Sequence, residues 1–184
     1  MEVPAGKVAS TITYLEMNEP PSAPPPAPPP GKLALLRVEE PTVSFYRYLY
    51  DTIGEEWLWY ERRVMDDAAL EAAIRPPQVE IYVLYAGGVP AGFGELDLRR
   101  MPDIEVAYFG LMPECIGRRL GTYLLRCVVD IAWAHHPKRV WLHTCDLDHP
   151  SALAVYQRGG FEPYDQETIV IDDPRQLDVF SRRD

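Results

Sequence analysis

The chain holds little that would tie it to a metal, a membrane or a polyanion. Its three cysteines, Cys115, Cys127 and Cys145, cannot all pair within one chain, and no two stand at metal-ligand spacing. Neither a disulfide scaffold nor a bound metal is expected, and a reducing cytoplasmic setting fits. Apolar runs are short: none reaches the about 18 residues that cross a bilayer, and no charged start leads into an apolar leader. Basic residues are the minority, since 18 Lys and Arg against 28 Asp and Glu leave a formal net charge of -10. Nucleic-acid backbones and anionic membranes are held by basic patches, so neither is an expected partner, and any anion must be gripped locally. An acidic exterior is compatible with an amine-bearing ligand, and equally with solubility alone.

What is present is enough apolar material for one core, with 47% hydrophobic residues in 184. Val8 to Met17 has the β-branched and aromatic spacing of a first strand. From Pro20 to Pro30 nearly every residue is Pro or Ala, so the backbone lacks donors and runs extended. Residues 1–31 thus read as an N-terminal strand plus a Pro-rich linker, and residues 32–184 as the main domain. The linker reads as a stiff tether or as a ligand for a partner's aromatic groove.

Hydrophobic periodicity predicts a helix over Pro41 to Ile53 and a second over Asp66 to Ile74, closed before Pro76 and Pro77. Val79 to Ala86, the Gly87-Gly88 turn and Val89 to Leu98 form a hairpin. Ile104 to Met112 reads as a strand, Arg119 to Ala134 as an amphipathic helix, and Arg139 to Cys145 as a strand. A short helix over Pro150 to Arg158 and a strand over Thr168 to Ile171 complete the order. The strand-helix-strand crossover in the second half implies an α/β fold: a mixed, mostly antiparallel central sheet with helices on both faces.

Between the strand ending at Met112 and the long helix lies Pro113 to Thr122, with glycines at 117 and 121 and arginines at 118 and 119. A helix start exposes unpaired N–H groups and partial positive charge, where phosphate oxygens bind and cations are disfavoured. Arg118 and Arg119 therefore either serve a bound anion such as pyrophosphate or reach into solvent and pair with Glu114.

With its flanking segments this loop resembles the acetyl-coenzyme A site of the GNAT superfamily of N-acetyltransferases, over roughly Gly92 to Tyr164. The six positions of the family's phosphate-loop pattern hold Ile116, Gly117, Arg118, Arg119, Leu120 and Gly121; Gly121 matches, while Ile116 and Arg119 depart from it. Downstream, His149-Pro150-Ser151-Ala152, Tyr156 and Gly160-Phe161 are similar to the family's Asn-Pro-x-Ala, Tyr and Gly-Phe spacing, with His149 in place of asparagine. The resemblance implies acetyl-coenzyme A as co-substrate and a V-shaped opening between the strands at Ile104 to Met112 and Arg139 to Cys145. There the backbone of Phe109, Gly110, Leu111 and Met112 would pair with the pantetheine arm. Gly117 to Gly121, Thr122, His149 and Ala152 would hold the rest of the cofactor. It also implies that a backbone N–H near Leu111 polarises the acetyl carbonyl, and that Tyr156 is the general acid for the departing thiolate; without the resemblance, Tyr156 reads as a core tyrosine.

An ammonium must lose a proton before it attacks a thioester. Glu105, Glu95, Asp97 and His143 are the candidates, with Glu105 ranked first and His143 second; a solvated strand residue or a structural histidine is the alternative reading. Glu95 is also a candidate contact to the acceptor. Trp57, Trp59 and Tyr60, in the loop between the first two helices, form either an aromatic or cation-π wall for the acceptor or a plug between helices and sheet. The function expected is transfer of the acetyl group to an amine of a small molecule or peptide, with a non-catalytic acyl-coenzyme A binding or sensing module as the alternative. Whether the protein acts as a monomer or a homodimer stays open.

Overall fold

The computed structural model describes residues 3–180. Among them, the strands are β1 (Lys7–Met17), β2 (Leu33–Val38), β3 (Val79–Ala86), β4 (Val89–Asp97), β5 (Asp103–Leu111), β6 (Arg139–Cys145) and β7 (Glu162–Asp172). The α-helices are α1 (Val43–Gly54), α2 (Asp67–Ile74), α3 (Leu120–Ala134) and α4 (Ala152–Arg158). The strands form a single sheet in the order β2-β3-β4-β5-β6-β1-β7. Every neighbouring pair is antiparallel except β5 and β6, which the α3 crossover makes parallel.

Local chemistry accounts for the elements. The Thr42 hydroxyl accepts from the Phe45 N–H to open α1, and the Asp66 carboxylate accepts from the Ala69 N–H to open α2. Gly87 and Gly88 turn the β3–β4 hairpin at φ 64 and 93, where a side chain would be strained. Alternation along β4 then divides the helices between the two faces. Gly94 lies against Val128 of α3, and the next residue, Glu95, reaches Tyr46 of α1. Leu15, Met17, Val140 and Leu142 are buried on the α3 side with Phe161 and Leu125.

Three features differ from the sequence expectations. Strand β2 was not anticipated; it is a six-residue edge strand directly after the Pro-rich run. Strand β7 extends well beyond the expected Thr168 to Ile171. Strand β1 lies between β6 and β7, with Leu15 fully buried, so the boundary drawn at residue 31 runs between two strands of one sheet. The Pro-rich segment has no regular secondary structure, and the Ala23 carbonyl accepts from Arg126 of α3. No helix among the described residues is long and apolar enough to cross a membrane.

Candidate active site

The parallel pairing of β5 with β6 covers only Asp103↔Arg139, Ile104↔Val140 and Glu105↔Trp141. Just beyond it, a bulge between Val106 and Tyr108 bends β5, and the two strands separate. The gap opens into a cleft of about 470 Å³ lined by both strands, by the loop before α3, by α4 and by the loop after α1. Amides along an antiparallel strand alternate between its two sides. The Met112 N–H donates to the Ala91 carbonyl on the β4 side, so Leu111 and Phe109 direct their backbone groups into the opening. Met112 itself is buried with its amide taken, and it does not line the cleft as the sequence had suggested.

At one end of the cleft the chain enters α3 through Gly117 at φ 79 and Arg119 in the left-handed region at φ 61. No side chain caps α3, so its first amides remain for an anion. Gly117, Arg119, Gly121 and Thr122 line this end. Leu120 is buried, and Arg118 turns away, with its guanidinium 3.8 Å from Cys115 Sγ. Arg118 lines instead a neighbouring cavity of about 510 Å³, together with Lys32 and the end of the Pro-rich segment. At α4, Ala152 and His149 face the cleft. His149 Nδ1 accepts from the Ser151 N–H at 3.0 Å, the turn-closing role that an asparagine side chain performs.

The titratable groups separate into those the cleft reaches and those it does not. His143 lines the cleft, and its Nδ1 lies 3.6 Å from a carboxylate oxygen of Glu105. Glu105 holds the imidazole pKa above its ordinary value, against the opposing effect of burial. Glu105 does not itself line the cleft; it stands behind His143. Tyr156 lines the cleft at 8% exposure, its ring 6.0 Å from Phe109. Burial, aided by the negative charge of Asp148, raises its phenol pKa, so the hydroxyl stays protonated.

Glu95 is a correction to the sequence reading. It is 1% exposed, 2.9 Å from the Arg62 guanidinium, and accepts the Tyr46 hydroxyl at 2.6 Å. It lies sealed beneath α1 and does not line the cleft. Asp97 is paired with Arg99 outside the cleft.

Trp57, Trp59 and Tyr60 all line the cleft, with different surroundings. Trp59 packs among Tyr50, Phe93 and Tyr108 and donates from Nε1 to Asp148, so it is also a plug between α1 and the sheet. Trp57 meets the His149 ring edge-on at 4.9 Å. Leu58 between them is held at φ 55, a strained conformation for a leucine.

The model of the acetyltransferase (GNAT) family matches residues 43–161. The chain belongs to that family. Its fold likeness extends to solved structures at low sequence identity. One is a conserved protein of unknown function from Staphylococcus epidermidis, at 16% identity and TM-score 0.61, with 91% of this chain and 64% of that chain covered. A GCN5-related N-acetyltransferase from Sphaerobacter thermophilus has 15% identity and TM-score 0.62, with 88% and 50% covered. An IAA acetyltransferase from Bacillus cereus has 22% identity and TM-score 0.57, with 73% and 79% covered. The present chain thus spans about half to two-thirds of the first two. At these identities the likeness is one of fold. No curated protein matches the chain.

Within this GNAT-family cleft the structure also places residues that the sequence did not single out. Asp148 accepts from Trp59, from the Thr144 hydroxyl at 2.7 Å and from the Cys145 N–H. Glu61 accepts from the Tyr50 hydroxyl. Ser10, Ile12, Ile169 and Ile171 reach the cleft from β1 and β7. The two carboxylates sat in readable stretches, the aromatic loop and the turn before the His-Pro motif. The isoleucines gave no signal, because their position depends on pairing between distant strands.

Proposed function

We propose that this GNAT-family protein is an N-acetyltransferase that takes the acetyl group of acetyl-coenzyme A and moves it to an amine of a small molecule or peptide. The observation that carries this is the separation of β5 from β6 into a cleft with an uncapped helix start at one end and His143, backed by Glu105, on its wall. Backbone groups of Phe109 and Leu111 offer strand-like pairing to an extended arm, and the Gly117 to Thr122 turn offers amides to its phosphates.

The ammonium of the acceptor gives its proton to neutral His143, which Glu105 orients and whose protonated form it then stabilises. The freed nitrogen attacks the thioester carbonyl, so a carbon–nitrogen bond forms and the carbon–sulfur bond breaks. The Leu111 N–H donates to the carbonyl oxygen as negative charge develops there. Tyr156 gives its proton to the departing sulfur and regains one from solvent, while the acylated nitrogen releases its second proton to water and His143 sheds the one it took. In this reading Glu105 is a positioning residue and His143 the base, the reverse of their sequence ranking.

Two measurements test the proposal: calorimetry with acetyl-coenzyme A, and release of free thiol in the presence of a broad amine panel. Saturable binding with amine-dependent thiol release is the expected result. Binding without release from any amine would favour a sensing module, and no binding would overturn the reading.

A further inference from the structure

The two ends of the cleft differ in charge and polarity, and the difference describes the acceptor. Among the described residues, Arg119 is the one arginine or lysine that lines the cleft, and it stands at the α3 end. Around His143 the charged lining groups are the carboxylates Glu61 and Asp148. Their hydrogen bonds come from neutral donors, the Tyr50 hydroxyl to Glu61 and Trp59, Thr144 and the Cys145 N–H to Asp148. Their negative charge is therefore not neutralised by those donors.

Beyond His143 the wall becomes apolar. Cys145 stands two residues along β6, paired with Ile12 of β1; Ser10 is paired with Ile169 of β7, and Val8 with Ile171. With a side-chain period of two, His143, Cys145, Ile12 and Ser10 share one face of the sheet. Ile12, Ile169 and Ile171 are half-buried, lining the cleft beneath the Trp57 to Tyr60 loop. Two residues of strand measure about 7 Å, so the apolar wall begins roughly one short alkyl spacer from the imidazole.

We propose that the acceptor is a primary amine joined by a short spacer to an aromatic or branched apolar body, and that it carries no carboxylate of its own. This rests on the acetyltransferase reading above. The ammonium sits beside Glu61 and Asp148, which complement its charge, within reach of neutral His143; the body lies on the isoleucine wall against the aromatic loop. A carboxylate beside the amine would face two like charges with no arginine or lysine among the described residues at that end, which disfavours free amino acids. A polyamine or an aminoglycoside would press additional polar groups on isoleucines that cannot hydrogen-bond them.

The test uses the full chain with acetyl-coenzyme A and compares initial rates of thiol release for 2-phenylethylamine, phenylalanine, spermidine and kanamycin. 2-Phenylethylamine is expected to exceed each of the others in kcat/KM by at least about tenfold, the discrimination typical of one or two unmatched groups. Ile169→Asp, on the edge strand, should raise its KM about tenfold while acetyl-coenzyme A affinity by calorimetry stays unchanged, which also shows that the variant is folded. Faster turnover of phenylalanine, spermidine or kanamycin would overturn the acceptor class and leave the acetyltransferase reading standing. So would cofactor binding without any turnover of 2-phenylethylamine, or an unaltered KM in a folded Ile169→Asp. Absence of both cofactor binding and turnover would overturn the two together.

Discussion

Glu95 and Glu105 each face a basic side chain from a neighbouring element, at 2.9 Å from Arg62 and 3.6 Å from His143. Their side chains differ in access to solvent: 1% and 10% exposed for Glu95 and Arg62, 21% and 45% for Glu105 and His143. In the sealed pair, burial pushes the Glu95 carboxyl pKa upward while Arg62 opposes it, and no substrate reaches either group. In the open pair the interaction with Glu105 raises the pKa of an imidazole that lines the cleft. The same chemistry is thus enclosed in one pair and open to the cleft in the other, where the proposed proton transfer would use it.

The strongest attempt to break this contrast is Arg62→Ala. Removing one partner of a buried pair leaves an uncompensated charge, a loss of about 3–5 kcal/mol. Urea unfolding should register that loss, and a cost below about 1 kcal/mol, the usual range for an exposed pair, would erase the distinction.

Tyr156→Phe sharpens the contrast from the open side. In the proposed reaction the hydroxyl acts on the leaving group late and contributes little to ground-state binding. The single-turnover rate should therefore fall about 100-fold, near the low end for general acid catalysis, with acetyl-coenzyme A affinity almost unchanged. A purely packing role would leave that rate normal and lower only the unfolding free energy.

A smaller effect is expected from Arg119→Ala. Loss of a charge-assisted contact to phosphate should weaken acetyl-coenzyme A binding about tenfold at low salt and less at high salt. Equal affinity at both salt concentrations would remove Arg119 from the phosphate end.

The subtlest test is Glu105→Gln. The carboxylate raises the His143 pKa by favouring imidazolium. In the proposed reaction the neutral imidazole is the base, so kcat/KM should climb as pH rises through that elevated value in the unaltered protein. Removing the negative charge should move the midpoint of the climb downward toward the ordinary histidine value, about 6.5. A profile that stays in place would separate Glu105 from the base.

Much of this architecture was legible because it is local. Gly87-Gly88 marks its hairpin, the apolar stripe from Leu120 to Val128 marks α3, and the His149 to Phe161 pattern marks the turn, α4 and the glycine exit. Strand β2 escaped because Leu33 to Val38 follows a proline run and alternates only weakly between half-buried and exposed. Glu95 and Glu105 look alike in sequence, each a carboxylate within a strand. What separates them is Arg62, delivered from the loop after α1, and the bulge that turns β5 toward β6. The isoleucine wall depends on register, such as Ile12↔Cys145 and Ser10↔Ile169, which no window of adjacent residues contains.

The position of β1 also has a consequence for the order of events in folding. This strand leaves the ribosome before any of its neighbours, yet it is held between β6 and β7, and its contact from Ser10 to Asp146 joins residues 136 positions apart. Closing so wide a loop is slow relative to local helix and hairpin formation. The prolines that follow β1 deny it a nearby strand to pair with while it waits. The hairpin and α3 are therefore expected to form first, with insertion of β1 completing the wall on which Ile12 sits. Pulsed hydrogen exchange should find β1 protected last, and a chain released before β7 has emerged should lack the part of the cleft wall formed by Ile169 and Ile171.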